Sequence, residues 1–358
     1  MSRKPRSYVR PAEVVVPYVL VAFALIGGGV ASSGFLSSNH LSSMGQTAAY
    51  VGVIAIGETL VLLIGGIDLS VPYVIGLSAV LLAGFNANGM SSTEDVVLVL
   101  LIGLGIGLVN GLGVALLDIS PLVMTLGMNS ILQGYSLLYT HGSPIGQAPA
   151  FVTKLSTNWW HQIPVVDILW LVLTVVVTLV LAFTTFGRGI YAVGSNRRAS
   201  DLSGLPVRRT IVLAYMLSGL AATLGGLLLV GYSGQAYLGM GDAYLLPAIA
   251  VVVIGGTSIF GGKGSYVQTV AGALLITAIE SALITANVDQ AGQDILYGAI
   301  ILAMAYLNQV ALSGNRIRLA TVGPTLGAFR GWLEPAGVRQ ELDAPAPEMP
   351  AETGGDSA

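Results

Sequence analysis

The 358-residue chain contains no cysteine, three histidines and very few charges. The absence of cysteine excludes a disulfide framework, a thiolate metal site and a cysteine nucleophile. His40, His141 and His161 lie too far apart in sequence to suggest a metal site, and no His-Glu-x-x-His pattern occurs. An intramembrane metalloprotease is therefore excluded. Asp, Glu, Lys and Arg together make up 9% of the chain, against roughly 25% in an average soluble protein. Covering a soluble fold takes a surface of roughly 25–35% charged residues. The chain cannot supply one.

What is present instead is apolar. Hydrophobic residues make up 54% and mean hydropathy is +0.80. No charge occurs between Glu13 and Glu58, and Ile119–Thr153 and Thr210–Gly241 are also charge-free. About 20 apolar residues cross a bilayer core, so each stretch holds at least one crossing. The composition is that of an all-α polytopic membrane protein.

Apolar runs and Gly/Pro punctuation predict about ten spans. They lie near Val14–Gly34, Met44–Ile64, Val71–Phe85, Val96–Leu117, Leu122–Thr140, Val166–Thr185, Thr210–Gly231, Ala243–Phe260, Ser265–Thr285 and Asp294–Leu312. The basic Ser2–Arg10 leads into the first span without a fitting cleavage site, so that span is expected to be retained. With both termini cytoplasmic, fourteen of the fifteen Lys and Arg residues fall on the cytoplasmic side, Lys154 being the exception. This charge asymmetry favours that orientation. Three segments result: a basic cytoplasmic N-terminus (1–13), a membrane domain (14–314) and a tail (315–358). The end of the tail, Pro335–Ala358, is acidic and rich in Pro, Ala and Gly, a composition expected to be disordered.

Glycine is abundant, at 47 residues, and much of it lies inside spans, as in Gly103, Gly105, Gly107 and Gly111 or Gly219, Gly225 and Gly226. Small residues four apart let helix backbones approach closely in lipid. No strand precedes them, as a dinucleotide site would require. They are read as packing positions.

Three stretches carry more information. Gly65-Gly66-Ile67-Asp68-Leu69-Ser70 breaks a helix at the expected cytoplasmic boundary, with Asp68 and Ser70 as natural N-caps for the next helix. Gly255-Gly256-Thr257-Ser258, followed by Gly261-Gly262-Lys263-Gly264, is a second break on the same side. Irregular, Gly-rich backbone within membrane helices is typical of transport proteins. The second break is not a phosphate-binding loop, because Thr257 stands where the first glycine belongs and Gly264 where the hydroxyl belongs. The third stretch is the loop 186–209. Asn196 as N-cap, Gly204 at the C′ position and Pro206 beyond predict a helix of about two turns, too short to be stable without a docking partner. Alternatively, its arginines serve only as a topological anchor.

Within the spans, Asn110, Thr125, Asn129 and Gln133 are uncharged polar residues. The last three share one face of the fifth span at i, i+4, i+8. That face either lines a passage or makes interhelical hydrogen bonds. Glu58 and Glu280 are acids within apolar spans, with Asp68 and Asp242 near membrane ends. Such residues fit either a substrate path in an importer or an ion site in a secondary transporter or channel.

Taken in order, these stretches resemble the inner-membrane permease family of ribose-type ABC importers, over roughly Met44–Gln309. The matching elements are Gly-Gly-Ile-Asp-Leu-Ser at 65–70, Asn110-Gly111, Thr125-Leu126-Gly127, Gly187-Arg188 with the 194–206 loop, and the two glycine pairs of 255–264. Pro72 departs from the glycine common in relatives. The resemblance implies a bacterial inner-membrane subunit that imports a monosaccharide or related small polar solute. Its implied partners are a second permease copy, alike or different, a cytoplasmic ATPase and an extracytoplasmic substrate-binding protein. ATP and Mg²⁺ would reside on the ATPase, with no cofactor, catalytic residue, metal or nucleic acid on this chain. By the same resemblance the 196–206 helix docks on the ATPase. Leu202 and Leu205, which would otherwise leave a small apolar surface uncovered, are expected to seat in a groove of that partner, with Arg197, Arg198 and Asp201 at its rim.

Overall fold

The computed structural model describes residues 11–313 except 90, 91, 144 and 162. The expectations for the N-terminal ten residues and for the tail lie outside the described residues. The chain divides into two units, 1–308 and 309–358, and the first holds the helical bundle.

This bundle is mostly helical, as expected. They are α1 (Pro11–Ala31), α2 (Ser38–Leu63), α3 (Val71–Ala87), α4 (Ser92–Leu116) and α5 (Pro121–Thr140) in the first half. After them come α6 (Ala150–Thr157), α7 (Val165–Phe183), α8 (Thr185–Ser195), α9 (Arg197–Leu202), α10 (Val207–Ser233), α11 (Leu245–Ile254), α12 (Tyr266–Thr285) and α13 (Gln290–Ser313). Every expected span falls on one of these helices. Among the described residues, five helices, α2, α4, α7, α10 and α12, contain stretches long and apolar enough to cross a bilayer. The eighth expected span is shorter than its hydropathy implied: α11 has ten residues, about 15 Å at ~1.5 Å per residue, preceded by a 3₁₀ turn at Asp242–Tyr244. Hydropathy does not register the break that starts at Gly255.

Four short strands were not expected: β1 (Ile145–Gln147), β2 (Trp159–Trp160), β3 (Ile163–Pro164) and β4 (Gln235–Ala236). They pair antiparallel, β1 with β4, which ties the loop between α5 and α7 to the segment after α10, and β2 with β3 within that loop. Gln46 Nε2 and Tyr50 OH on α2 both donate to the Ser156 carbonyl at 2.8 and 3.1 Å, which fastens α6 over the N-terminal half of α2. Trp159 and Trp160 are exposed there, as aromatics at a membrane–water interface are.

Helices α2, α3 and α10 form the buried centre, and α4, α11 and α12 pack against them. Exposed large apolar side chains gather on the outer helices, such as Phe23 and Ile26 on α1 and Leu171, Val175 and Leu179 on α7. This is the surface of a bundle solvated by lipid. Its interior is held by close backbone approach, since lipid supplies little drive for helices to associate. The i+4 spacing of Gly103, Gly107 and Gly111 on α4 seats that helix directly on the backbone of α10. A methyl group at Gly103 would lie 3.0 Å from the Gly219 carbonyl, and one at Gly111 would lie 2.7 Å from the Val212 Cα. Gly105, also read as a packing position, instead faces open space. Trp170 Nε1 on α7 donates to Tyr266 OH on α12 at 2.9 Å, and that hydroxyl donates to the Gly52 carbonyl on α2 at 2.7 Å.

Candidate coupling and translocation site

The 186–209 loop folds into two helices. Thr184 caps α8, its Oγ1 accepting the Gly187 N–H at 3.1 Å. Asn196 caps α9, its Oδ1 accepting the Ala199 N–H at 2.9 Å, as its side-chain chemistry predicts. Gly204 takes φ +76, which lets the chain reverse after the six-residue helix, and α10 begins at Val207. Leu202 is 83% exposed and Leu205 is 36% exposed. Arg197 pairs with Asp118, in the α4–α5 connection, at 3.0 Å. Both line a cavity of about 330 Å³ together with Arg198 and Asp201. The expected rim charges thus lie together, beside an uncovered leucine.

The first break follows α2. Gly65 adopts φ +79, and the Gly65 and Gly66 N–H groups return to the carbonyls of Leu62 and Val61, each at 2.9 Å. The expected capping does not occur. Ser70 occupies the N-cap position of α3 but makes no side-chain cap bond. Pro72 supplies no N–H in the first turn, and the Asp68 carboxylate engages Ser70 instead. Asp68 Oδ1 accepts from the Ser70 N–H at 3.0 Å and from its hydroxyl at 2.5 Å, while Oδ2 accepts from the Ser218 hydroxyl of α10 at 2.7 Å. Asn110 Nδ2 donates to Ser70 Oγ at 2.9 Å, and the Leu69 N–H donates to Thr125 Oγ1 at 3.0 Å. The break is therefore a buried polar knot joining α2, α3, α4, α5 and α10. Glu58 completes it. It is 1% exposed and lies within electrostatic reach of Tyr215 and of Asp68, whose backbone faces its carboxylate.

At the second break, Gly256, Gly261, Gly262 and Gly264 all have positive φ. Thr257 is fully buried, and its N–H reaches the Val252 carbonyl at 3.1 Å. The two breaks and α8 meet. The Gly262 N–H donates to the Leu63 carbonyl at 2.9 Å, and Tyr191 OH on α8 donates to the Gly264 carbonyl at 2.9 Å. Gly194, in the last turn of α8, sits where a methyl group would collide with the Leu63 carbonyl and lie 2.6 Å from the Gly262 nitrogen. A second cavity of about 330 Å³ lies beside this junction, lined by Gly65, Gly66, Gly194, Arg197, Tyr215 and Phe260. Leu63, Gly194 and Gly262, each more than 60 residues from the next in sequence, share one backbone junction.

The fifth-span stripe turns toward α3. Thr125 is fully buried and holds Leu69, while Gln133 Nε2 donates to Tyr73 OH at 2.7 Å. Asn129 Oδ1 is buried without a hydrogen-bond partner among the described residues. Tyr215 and Ser218 were missed from sequence, since a Tyr and a Ser within an apolar helix give no signal of facing a carboxylate. Glu280 lies elsewhere, near the other end of α12.

The match to known proteins extends across this whole architecture. Residues 41–305 match the family model described as branched-chain amino acid transport system / permease component. The chain belongs to this permease family. The permease is 35% identical to the ribose import permease protein of Bacillus subtilis over 273 residues, covering 74% of this chain and 83% of that protein. It is 32% identical to the autoinducer 2 import system permease protein of Photorhabdus laumondii over 274 residues, covering 75% and 82%. The corresponding Escherichia coli K12 protein is also 32% identical, covering 75% and 83%. No solved structure matches the permease. Both breaks, α8, α9 and the polar knot fall inside the matched region, and the chain is a multi-pass transport permease rather than an enzyme.

Proposed function

We propose that this permease is the membrane subunit of an ATP-driven importer of a monosaccharide or related small polar solute. Two permease copies, alike or different, assemble with a cytoplasmic ATPase in the bacterial inner membrane and receive solute from an extracytoplasmic binding protein. ATP and Mg²⁺ belong to the ATPase. The chain crosses about ten times, with both termini cytoplasmic. The α9 helix is the ATPase-docking element, and the uncharged residues Asn110, Thr125, Asn129 and Gln133, with Glu58, border the translocation path. The sugar assignment draws on the relatives, which import ribose and autoinducer 2.

The observation that carries the proposal is the junction. α9 follows α8 after the single cap residue Asn196, and α8 touches both glycine breaks through backbone contacts that leave no slack. A push on α9 is thereby delivered to the two irregular segments inside the bundle. Rigid, directly packed elements transmit displacement in this way. The test is uptake by proteoliposomes containing permease, ATPase and binding protein. Uptake of labelled ribose or another monosaccharide should require internal ATP and persist with a protonophore. Uptake abolished by the protonophore and indifferent to ATP would instead establish an ion-coupled secondary transporter or channel, in which Glu58 would be the natural ion site.

A further inference from the structure

Glu280 has no part in the junction. It lines a cavity of about 200 Å³ between the N-terminal half of α2 and the C-terminal half of α12, and an adjoining one of about 60 Å³ that reaches Tyr244, Gln290 and Tyr297. Thr47 and Glu280 border both. The site lies at the opposite end of the bundle from α9. Leu63, at the far end of the 26-residue α2, contacts the junction, whereas His40, Ser43 and Thr47 at its start line the cavity. At ~1.5 Å per residue these positions stand 24–35 Å apart, roughly a bilayer core.

The lining is dense in hydroxyls. Thr277 and Tyr297 are 3% and 1% exposed, and their hydroxyls have no hydrogen-bond partner among the described residues. His40 Nε2 and Ser281 Oγ lie 2.7 Å apart at the rim. No Lys or Arg among the described residues lines either space, which disfavours an anion. Among the described residues no group of three or more metal-ligating side chains occurs. A carboxylate accepts hydrogen bonds, while Thr, Tyr and Gln side chains both donate and accept. A neutral polyol uses both capacities, its hydroxyls donating to Glu280 and accepting from Thr277, Tyr297 and Gln290. A cation has no use for the donors. The combined space suits one small solute, below the roughly 300–1,000 Å³ of a drug-sized pocket.

We propose that the Glu280 cavity is the entry subsite where the permease receives a polyhydroxylated solute, a monosaccharide, from the extracytoplasmic side. This rests on the importer reading. The experiment uses the full complex in proteoliposomes, with labelled ribose and a panel of pentoses and hexoses as probes. Glu280→Gln should lower maximal uptake of the imported sugar at least tenfold, and Tyr297→Phe several-fold, while the permease still copurifies with its ATPase. Because the chain has no cysteine, Ser281→Cys supplies a second measurement independent of uptake. Its labelling by a membrane-impermeant maleimide should slow at least threefold in the presence of that sugar and not with choline. Uptake at the wild-type rate in Glu280→Gln, or labelling slowed by choline alone or by neither solute, overturns the site. A wild-type complex that imports no monosaccharide overturns the importer reading and this inference with it, whereas wild-type import with untouched variants sinks the site alone.

Discussion

Replacing Leu202 with aspartate separates docking from folding. Leu202 is 83% exposed, so the substitution removes almost no contact within the permease, and its effect on permease stability should stay within ~0.5 kcal/mol. Fully burying a leucine is worth about 1.5–3 kcal/mol, so a partner that covers the exposed part gains about 1–2.5 kcal/mol. An aspartate would forfeit that gain and carry an unpaired charge into the groove, which places the loss near the ~2 kcal/mol of an interface hot spot. That corresponds to roughly thirtyfold weaker docking of the ATPase. The assay measures ATP hydrolysis by the reconstituted complex, with and without loaded binding protein, across a range of ATPase concentrations. Half-maximal stimulation should shift to roughly thirtyfold higher ATPase, with permease insertion and melting temperature unchanged. Stimulation and uptake equal to wild type at every ATPase concentration would refute the docking role and leave α9 as a topological anchor.

Gly194→Ala should destabilise the permease by about 1–3 kcal/mol, because the added methyl collides with the Leu63 carbonyl and neither backbone can yield. Thermal unfolding in detergent reads this directly, and a melting temperature unchanged from wild type would show that the junction is loose. Gln133→Glu keeps the contact to Tyr73, since the tyrosine hydroxyl can donate where it accepted, so assembly should survive while a new charge reduces uptake severalfold. Loss of assembly without a transport-specific defect would make that face a packing surface only. Deleting Pro335–Ala358 should leave insertion and uptake near normal, as its composition offers little apolar surface to bury. A truncated permease that assembles but no longer imports would refute this.

Much of the fold was legible one segment at a time. Sparse charge and long apolar runs determine membrane helices, because only helices and closed barrels satisfy the backbone in lipid and unbroken apolar runs of about 20 residues are the helical pattern. The Asn196 cap and the Gly204 reversal are encoded within a few residues, so α9 could be placed from sequence. Even the i+4 glycines of α4 announce a close helix contact, though not that α10 is the partner, nor that Gly105 stands apart. Local chemistry misjudged Asp68 and Ser70, since capping competes with partners that only the folded bundle brings near.

What the sequence by itself determined, then, is where the helices run, where they break and that the chain lives in a bilayer. Only the tertiary structure decided that Leu63, Gly194 and Gly262 touch, that Ser218 and Asn110 close on the first break, and that Glu280 shares a hydroxyl-lined cavity with Thr47 and Tyr297. The reason is physical. Hydropathy and periodicity report whether a side chain can enter lipid and which face of its own helix it occupies. A serine or glycine in an apolar helix carries the same signal whether it faces lipid or a distant backbone, and only helix packing distinguishes the two.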